Sequence, residues 1–351
     1  MPPLLAGQFE KLRQAGALLL SPGAIMSLPE VGLALALAVG FLVWRHKSRR
    51  GRIRLRVVFR ALLLSRRVVF SRSTAADLFL YAVNTFAIGT LIGWGIFSGF
   101  AVSGQVVHFL NATCGTRAPS TAPLWSLRAG ITLAAFLGYE IGYYADHFCK
   151  HKIPFLWEFH KTHHTAQTLT PLTVFRVHPI DTLIFVDVVA AFAGLLHGLF
   201  TYFAGRQIPM FAIAGTNVIS VVAFFLLSQL QHSQFWMPLR GLPGRLILSP
   251  AHHQLHHSAD PAHFNCNLGS SLAVFDWLFG TLNVPQTQSP RLTFGVREPG
   301  ENPHRIVNLL LTPLPRALAA LLRAEQPVPR IPQARADISV AVQLPVHGGG
   351  V

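Results

Sequence analysis

Charge and thiols are scarce in this chain of 351 residues: 12% of its residues are charged, only 14 are acidic, and only three, Cys114, Cys149 and Cys266, are cysteine. No C-x-x-C or other thiolate spacing occurs among the three, so neither a disulfide framework nor a cysteine zinc site is indicated, and ordinary packed thiols are expected. A glycine-rich dinucleotide fingerprint and a haem-attachment motif are also missing. With 51% hydrophobic residues and a mean hydropathy of +0.42, the composition is that of a membrane protein rather than one or two soluble domains.

The formal net charge of +15 raises the possibility of nucleic acid as partner. The excess is concentrated, however: Arg45, Lys47, Arg49, Arg50, Arg52, Arg54, Arg56, Arg60, Arg66, Arg67 and Arg72 lie between two apolar runs. That placement fits the positive-inside rule and attraction to anionic lipid, and no nucleic-acid partner is expected.

Apolar runs that cross or nearly cross a bilayer are Leu28 to Trp44, Leu78 to Val102, Leu124 to Ala145, Thr182 to Ala204 and Ile208 to Leu230. The basic N-terminal stretch from Lys11 to Leu20 reads as an interfacial helix rather than a cleaved signal, because Pro22 and Gly23 interrupt it. The expected fold is all-α: a polytopic membrane helical bundle of four to five spans with a cytoplasmic histidine-rich helical cap. With the arginine-rich segment in the cytoplasm, Asn111 to Thr121 becomes an external loop and the third span returns to the cytoplasm at Asp146. The last two spans, joined by Gly205-Arg206-Gln207, read as a hairpin that returns the chain at Gln231 and His232. Residues 1–77 form an N-terminal membrane segment with the arginine-rich linker, 78–285 the catalytic domain, and 286–351 a proline-rich tail, flexible from Glu325, whose segment Ile306 to Leu322 reads as a surface helix.

Against this background stand 17 histidines, and their arrangement carries the chemistry. The spacing H-x2-HH occurs twice, at His160, His163 and His164 and at His253, His256 and His257, and His147 with His151 adds an i,i+4 pair. On a helix such spacings aim each set of imidazoles at one point. Topology places all three sets at one membrane edge. Eight imidazoles exceed what one ion takes, so a dinuclear site follows. Imidazole suits iron, copper and zinc alike. No carboxylate lies within the motifs, unlike the glutamate-rich sites of soluble di-iron bundles, and Glu158 faces elsewhere.

The ordered series of motifs resembles the fatty acid hydroxylase and sterol desaturase superfamily of integral-membrane di-iron oxygenases. The resemblance covers about Leu124 to Pro285 and rests on Glu140-x3-Tyr144-x2-His147-x3-His151, Leu156-Trp157-x2-Phe159-His160-x2-His163-His164 and Arg176-x-His178-Pro179-x-Asp181. It continues through Gln231-His232-Ser233, Ser249-Pro250-x2-His253-x2-His256-His257-Ser258, Asn267-Leu268-Gly269 and Asp276-Trp277-Leu278-Phe279-Gly280-Thr281. Phe148 stands where the family commonly has arginine, and Glu140 where it has aspartate. The extra His252 leaves the local alignment of the last triad ambiguous.

What the resemblance implies is a ligand set of His147, His151, His160, His163, His164, His253, His256 and His257, with His232 as a ninth and His178 as a tenth. Two iron ions are the implied cofactor, zinc being an occupant of an expressed or resting form. O2 is the implied co-substrate, a lipid such as a sterol or fatty acyl chain the substrate, and hydroxylation or desaturation the reaction. A separate electron donor, such as a reductase, a ferredoxin or a cytochrome b5-like protein, is implied as partner. Glu140, Tyr144 and Asp276 are expected to support ligands by hydrogen bonding. The protein is expected in the inner membrane of a bacterium or the endoplasmic reticulum of a eukaryote. Competing readings are a membrane zinc-dependent hydrolase and a metal-binding or transport protein.

Overall fold

A computed structural model describes residues 70–84 and 98–322, apart from 214, 225, 226, 228, 297 and 299, together with the isolated positions 36, 39, 40 and 43. Most of the first apolar run, most of the arginine-rich linker, the N-terminal interfacial helix and the tail beyond Leu322 lie outside the described residues. The rest is mostly helical.

Helices α1 (Arg72–Ala82), α2 (Gly99–Cys114), α3 (Leu124–Lys152), α4 (Pro154–His164) and α5 (Pro179–Ala204) build the bundle and the start of the cap. At 29 residues, α3 runs for about 43 Å. Among the described residues, α5 is the helix long and apolar enough to cross a membrane. The two pack antiparallel at van der Waals distance because glycines remove side chains between them. A methyl group at Gly138 of α3 would sit 2.7 Å from Ala193 Cα of α5. On the other side, a methyl at Gly194 would meet the Gly99 carbonyl of α2 at 2.6 Å.

The expected hairpin of two continuous spans is corrected here. After α5 the chain does not re-enter a helix at Ile208; it forms a two-residue β-hairpin, β1 (Ala212–Ile213) with β2 (Thr216–Asn217), and helix α6 starts only at Val218 and runs to Ala223. Pro209 cannot donate to a helix, Gly215 takes a φ of +82°, and the Asn217 side chain accepts from the Ile219 and Ser220 N–H groups, which sets the helix start. The hairpin is tied to α3, where Thr132 Oγ1 accepts from Phe211 N–H and the Thr132 carbonyl accepts from Asn217 Nδ2.

The cap consists of α4, a short turn α7 (Gln229–Gln231), and helices α8 (Gly241–Leu246), α9 (Pro250–His256), α10 (Val274–Phe279), α11 (Ile306–Leu310) and α12 (Pro313–Leu322). Both H-x2-HH motifs lie on or at the end of helices that start with a proline, Pro154 for α4 and Pro250 for α9. Ile153, placed before Pro154, is extended, so α3 stops at Lys152 and α4 folds back beside it. Helix α12 packs along α4, and Leu309 of α11 is buried against Ala76 and Leu80 of α1.

Candidate metal centre

Two groups of histidines meet at the cap end of α3. One joins His147 and His151 of α3, His160 and His164 of α4, and His256 of α9; the other joins His163, His232, His253 and His257. Within each group the ligand atoms lie within 4.8 Å of one another, and every one of the nine residues is buried. The groups adjoin: the His164 and His257 rings are 4.7 Å apart and the His163 and His164 rings 5.6 Å.

The first group is oriented from behind. His147 Nδ1–H donates to the Leu268 carbonyl at 2.8 Å, His256 Nδ1–H to the Cys266 carbonyl at 2.9 Å, and His160 Nδ1–H to Asp181 Oδ2 at 3.1 Å. A carbonyl can only accept, so these bonds place the ring proton on Nδ1 and leave a lone pair on Nε2. The Nε2 atoms of His147, His151, His160, His164 and His256 are all buried without a protein partner among the described residues. Five such atoms facing one point are a serious cost without a cation to share.

In the second group the nitrogens touch. His232 Nε2 lies 2.9 Å from His253 Nε2, 3.2 Å from His257 Nε2 and 3.2 Å from His163 Nε2, and His253 and His257 are 3.1 Å apart. Three atoms in mutual contact cannot alternate donor and acceptor around a triangle, so at least one of the contacts among His232, His253 and His257 sets two donors or two acceptors against each other. A point equidistant from nitrogens at such separations lies about 2 Å from each, the metal–imidazole distance. The donor set therefore fits a metal ion in each group. Burial pushes His232 and His256 down to about 3, and burial with neighbouring imidazoles holds His163, His164, His253 and His257 well below the ordinary value. Neutral rings are the form that binds metal.

His178 is not brought to either group. Its Nδ1 accepts from the Ile180 N–H as the N-cap of α5, and its Nε2–H donates to the Leu310 carbonyl at 3.0 Å, so both ring nitrogens are used. His252 also stands apart: its Nδ1 accepts from the Ser249 backbone in a capping box, which leaves His253, His256 and His257 as the convergent triad. Glu158 faces away and pairs with Lys161.

Glu140, Tyr144 and Asp276 act on the loop behind the rings. Glu140 accepts from the Ser271 and Leu272 N–H groups and from Ser271 Oγ; Asp276 accepts from the Leu268 and Gly269 N–H groups at 2.7 and 2.8 Å. Both hold the segment whose carbonyls orient His147 and His256. Tyr144 bonds to Thr281, which donates to Asp276, and its ring stacks on Phe279 at 5.3 Å and on Phe148 at 5.9 Å. Sequence reasoning assigned no role to Asp181, although its motif was visible. It missed Lys150, buried in ion pairs with Asp146 and Asp181, and Arg176, which is fully buried against Asp77. A lysine one residue before a motif histidine and an arginine two before His178 were the available signals.

Residues 132–281 match the sequence model of the fatty acid hydroxylase family. The chain is 27% identical over 174 residues to human alkylglycerol monooxygenase, a stretch covering 47% of this chain and 33% of that protein. It is similarly 27% identical over 170 residues to the Xenopus tropicalis alkylglycerol monooxygenase, covering 47% and 32%. To rat cholesterol 25-hydroxylase it is 29% identical over 183 residues, covering 50% of this chain and 54% of that one. The chain thus spans about a third to a half of the length of these curated relatives. No solved structure matches it significantly. The matched segment holds all nine clustered histidines, so the part of the chain that carries the candidate metal centre is the part similar to the fatty acid hydroxylase family.

Proposed function

We propose that the protein is an integral-membrane oxidoreductase that hydroxylates or desaturates a lipid C–H bond, using O2 and two iron ions. The observation that carries this reading is the pair of adjoining, buried, all-histidine groups inside a segment whose relatives are named as lipid monooxygenases and hydroxylases. His147, His151, His160, His164 and His256 would hold one ion, and His163, His232, His253 and His257 the other. Iron held in this way supplies reductive activation of O2 and attack on an unactivated C–H bond.

The chain's own residues bind, orient and exclude water. Burial of all nine rings keeps bulk water from the nitrogens, and the carbonyls of Cys266 and Leu268 with the Asp181 carboxylate fix which nitrogen faces inward. Tyr143 lies edge-on to His147 at 5.6 Å and to Phe185 at 5.5 Å, at the boundary between the apolar helices α3 and α5 and the imidazoles. A lipid chain lying among those helices reaches the rings there, while a redox partner approaches from water. We place the histidine end in the cytoplasm of a bundle with four to five spans, facing a separate electron donor such as a reductase, a ferredoxin or a cytochrome b5-like protein.

The test pairs metal analysis of the purified protein with lipid mass spectrometry of cells making active protein or His256→Ala. Two irons per chain and one lipid class that gains an oxygen atom or loses a pair of hydrogens, only with His256 intact, are expected. A redox-inert zinc protein with anaerobic turnover would replace this reading with the zinc hydrolase, and metal flux without any lipid product with a transporter.

A further inference from the structure

The two histidine groups differ in what stands behind them. In the five-histidine group, three Nδ1 atoms have fixed acceptors on the protein, whereas in the four-histidine group His163 Nδ1 and His232 Nδ1 are buried with no protein partner among the described residues. The acceptors are themselves braced. Cys266, whose carbonyl holds His256, sits between Asn265 and Asn267, both at a φ of 56°, the two non-glycine positions with positive φ among the described residues. Such a conformation persists only where the surroundings over-determine it.

Those surroundings are visible. Asn267 Nδ2 donates to the carbonyls of His252 and Asn283, and Asn267 Oδ1 accepts from Asn283 N–H at 2.8 Å. Asp276 anchors the next two backbone N–H groups, and Asn267 N–H donates to the Thr281 carbonyl. Behind His160, Asp181 is held by the Lys150 ammonium, which also pairs with Asp146 at 2.6 Å. Lys150 and Asp181 thus brace the acceptor of His160, while Glu140, Asn267 and Asp276 brace the loop whose carbonyls hold His147 and His256.

Resting on the two-ion reading above, we propose that Asn267 and Asp181 are positioning residues that pre-form the five-histidine position before any ion binds, while the four-histidine position is organised only by the ion it takes. The positions are therefore unequal. A pre-oriented set of donors gives up less side-chain freedom on binding, and removing a hydrogen-bond partner behind a ligand histidine costs about 10- to 100-fold in metal affinity. The five-histidine position fills first and releases last.

The experiment is an anaerobic binding isotherm of the full-length, metal-free protein in detergent with Co2+, followed by the cobalt absorption spectrum, for the native chain, Asp181→Asn, Asn267→Gly and His253→Ala. Glycine at 267 keeps the left-handed backbone accessible and removes only the side-chain bonds. The native protein should show two classes of one ion each. Asp181→Asn and Asn267→Gly should each weaken the tighter class about 10- to 100-fold and leave the weaker one in place, while His253→Ala removes the weaker class alone. The proposal is overturned if both variants shift both classes equally or neither class, or if His253→Ala removes the tighter one. Fewer than two ions on the native chain would instead defeat the two-ion reading, and this proposal with it.

Discussion

At the residue scale, chemistry was most legible where side chains themselves form the pattern. The spacings of His147 with His151, of His160 with His163 and His164, and of His253 with His256 and His257 are periodic on a helix, and the structure gathers all eight at one end of the bundle, with His232 among them. The acceptors that orient them were not legible, because the Cys266 and Leu268 carbonyls are backbone atoms that any sequence supplies. His178 misled for the opposite reason: its place before Pro179 is explained by N-capping, which spacing cannot separate from ligation. His178→Asn, which keeps a capping oxygen, should therefore retain both metal ions and most activity, whereas His256→Ala should lose iron; metal content per chain, measured side by side, decides it.

Arg176 shows how a single buried charge joins distant stretches. Its guanidinium donates to Asp77 Oδ1 at 2.8 Å, to the Ser73 and Pro303 carbonyls and to Thr165 Oγ1, linking α1, the end of α4 and the loop before α11. Arg176→Ala leaves Asp77 buried without its cation and should cost about 3–5 kcal/mol. Thermal unfolding in detergent should register the loss, and the double variant Arg176→Met with Asp77→Leu should recover a substantial part of it.

At the scale of elements, glycine positions govern how α3 meets α5. Gly138→Leu would drive a side chain into the α5 backbone at Ala193 and Phe192, prising apart the helix that carries His147 and His151 from the one whose first turn carries Asp181. Lower thermal stability and lower iron retention are expected together. Gly104, where an added methyl group would meet no neighbouring atom within 4 Å, is the matched control: Gly104→Ala should change neither. The hairpin at 212–217 was missed because Gly215-Thr216-Asn217 is a short interruption averaged into the apolar run Ile208 to Leu230, and hydropathy does not register the tie of Asn217 to Thr132 on α3.

At the scale of the whole molecule, two measurements bear on orientation and on stability in acid. Cys114 is exposed at the end of α2, whereas Cys149 is half-buried and Cys266 buried. If the histidine end faces the cytoplasm, a membrane-impermeant maleimide should label Cys114 in intact cells; labelling only after permeabilisation would reverse the bundle. Acid is the other probe. His232 and His256 are held at about 3 in the fold against 6.5 when unfolded, so the unfolded chain binds more protons between those values. The metal-free protein should keep its full stability above pH 6.5 and lose it as pH falls from there toward 3, a trend that unfolding curves across that window would reveal.

The triangle of His232, His253 and His257 has a consequence for the cell. Three nitrogens whose mutual contacts cannot all be hydrogen bonds make the ion part of what that side of the cap requires, so newly made protein short of metal should open around the four-histidine group and be exposed to proteases there. Iron supply would then govern how much of the protein persists, as well as how fast each copy works.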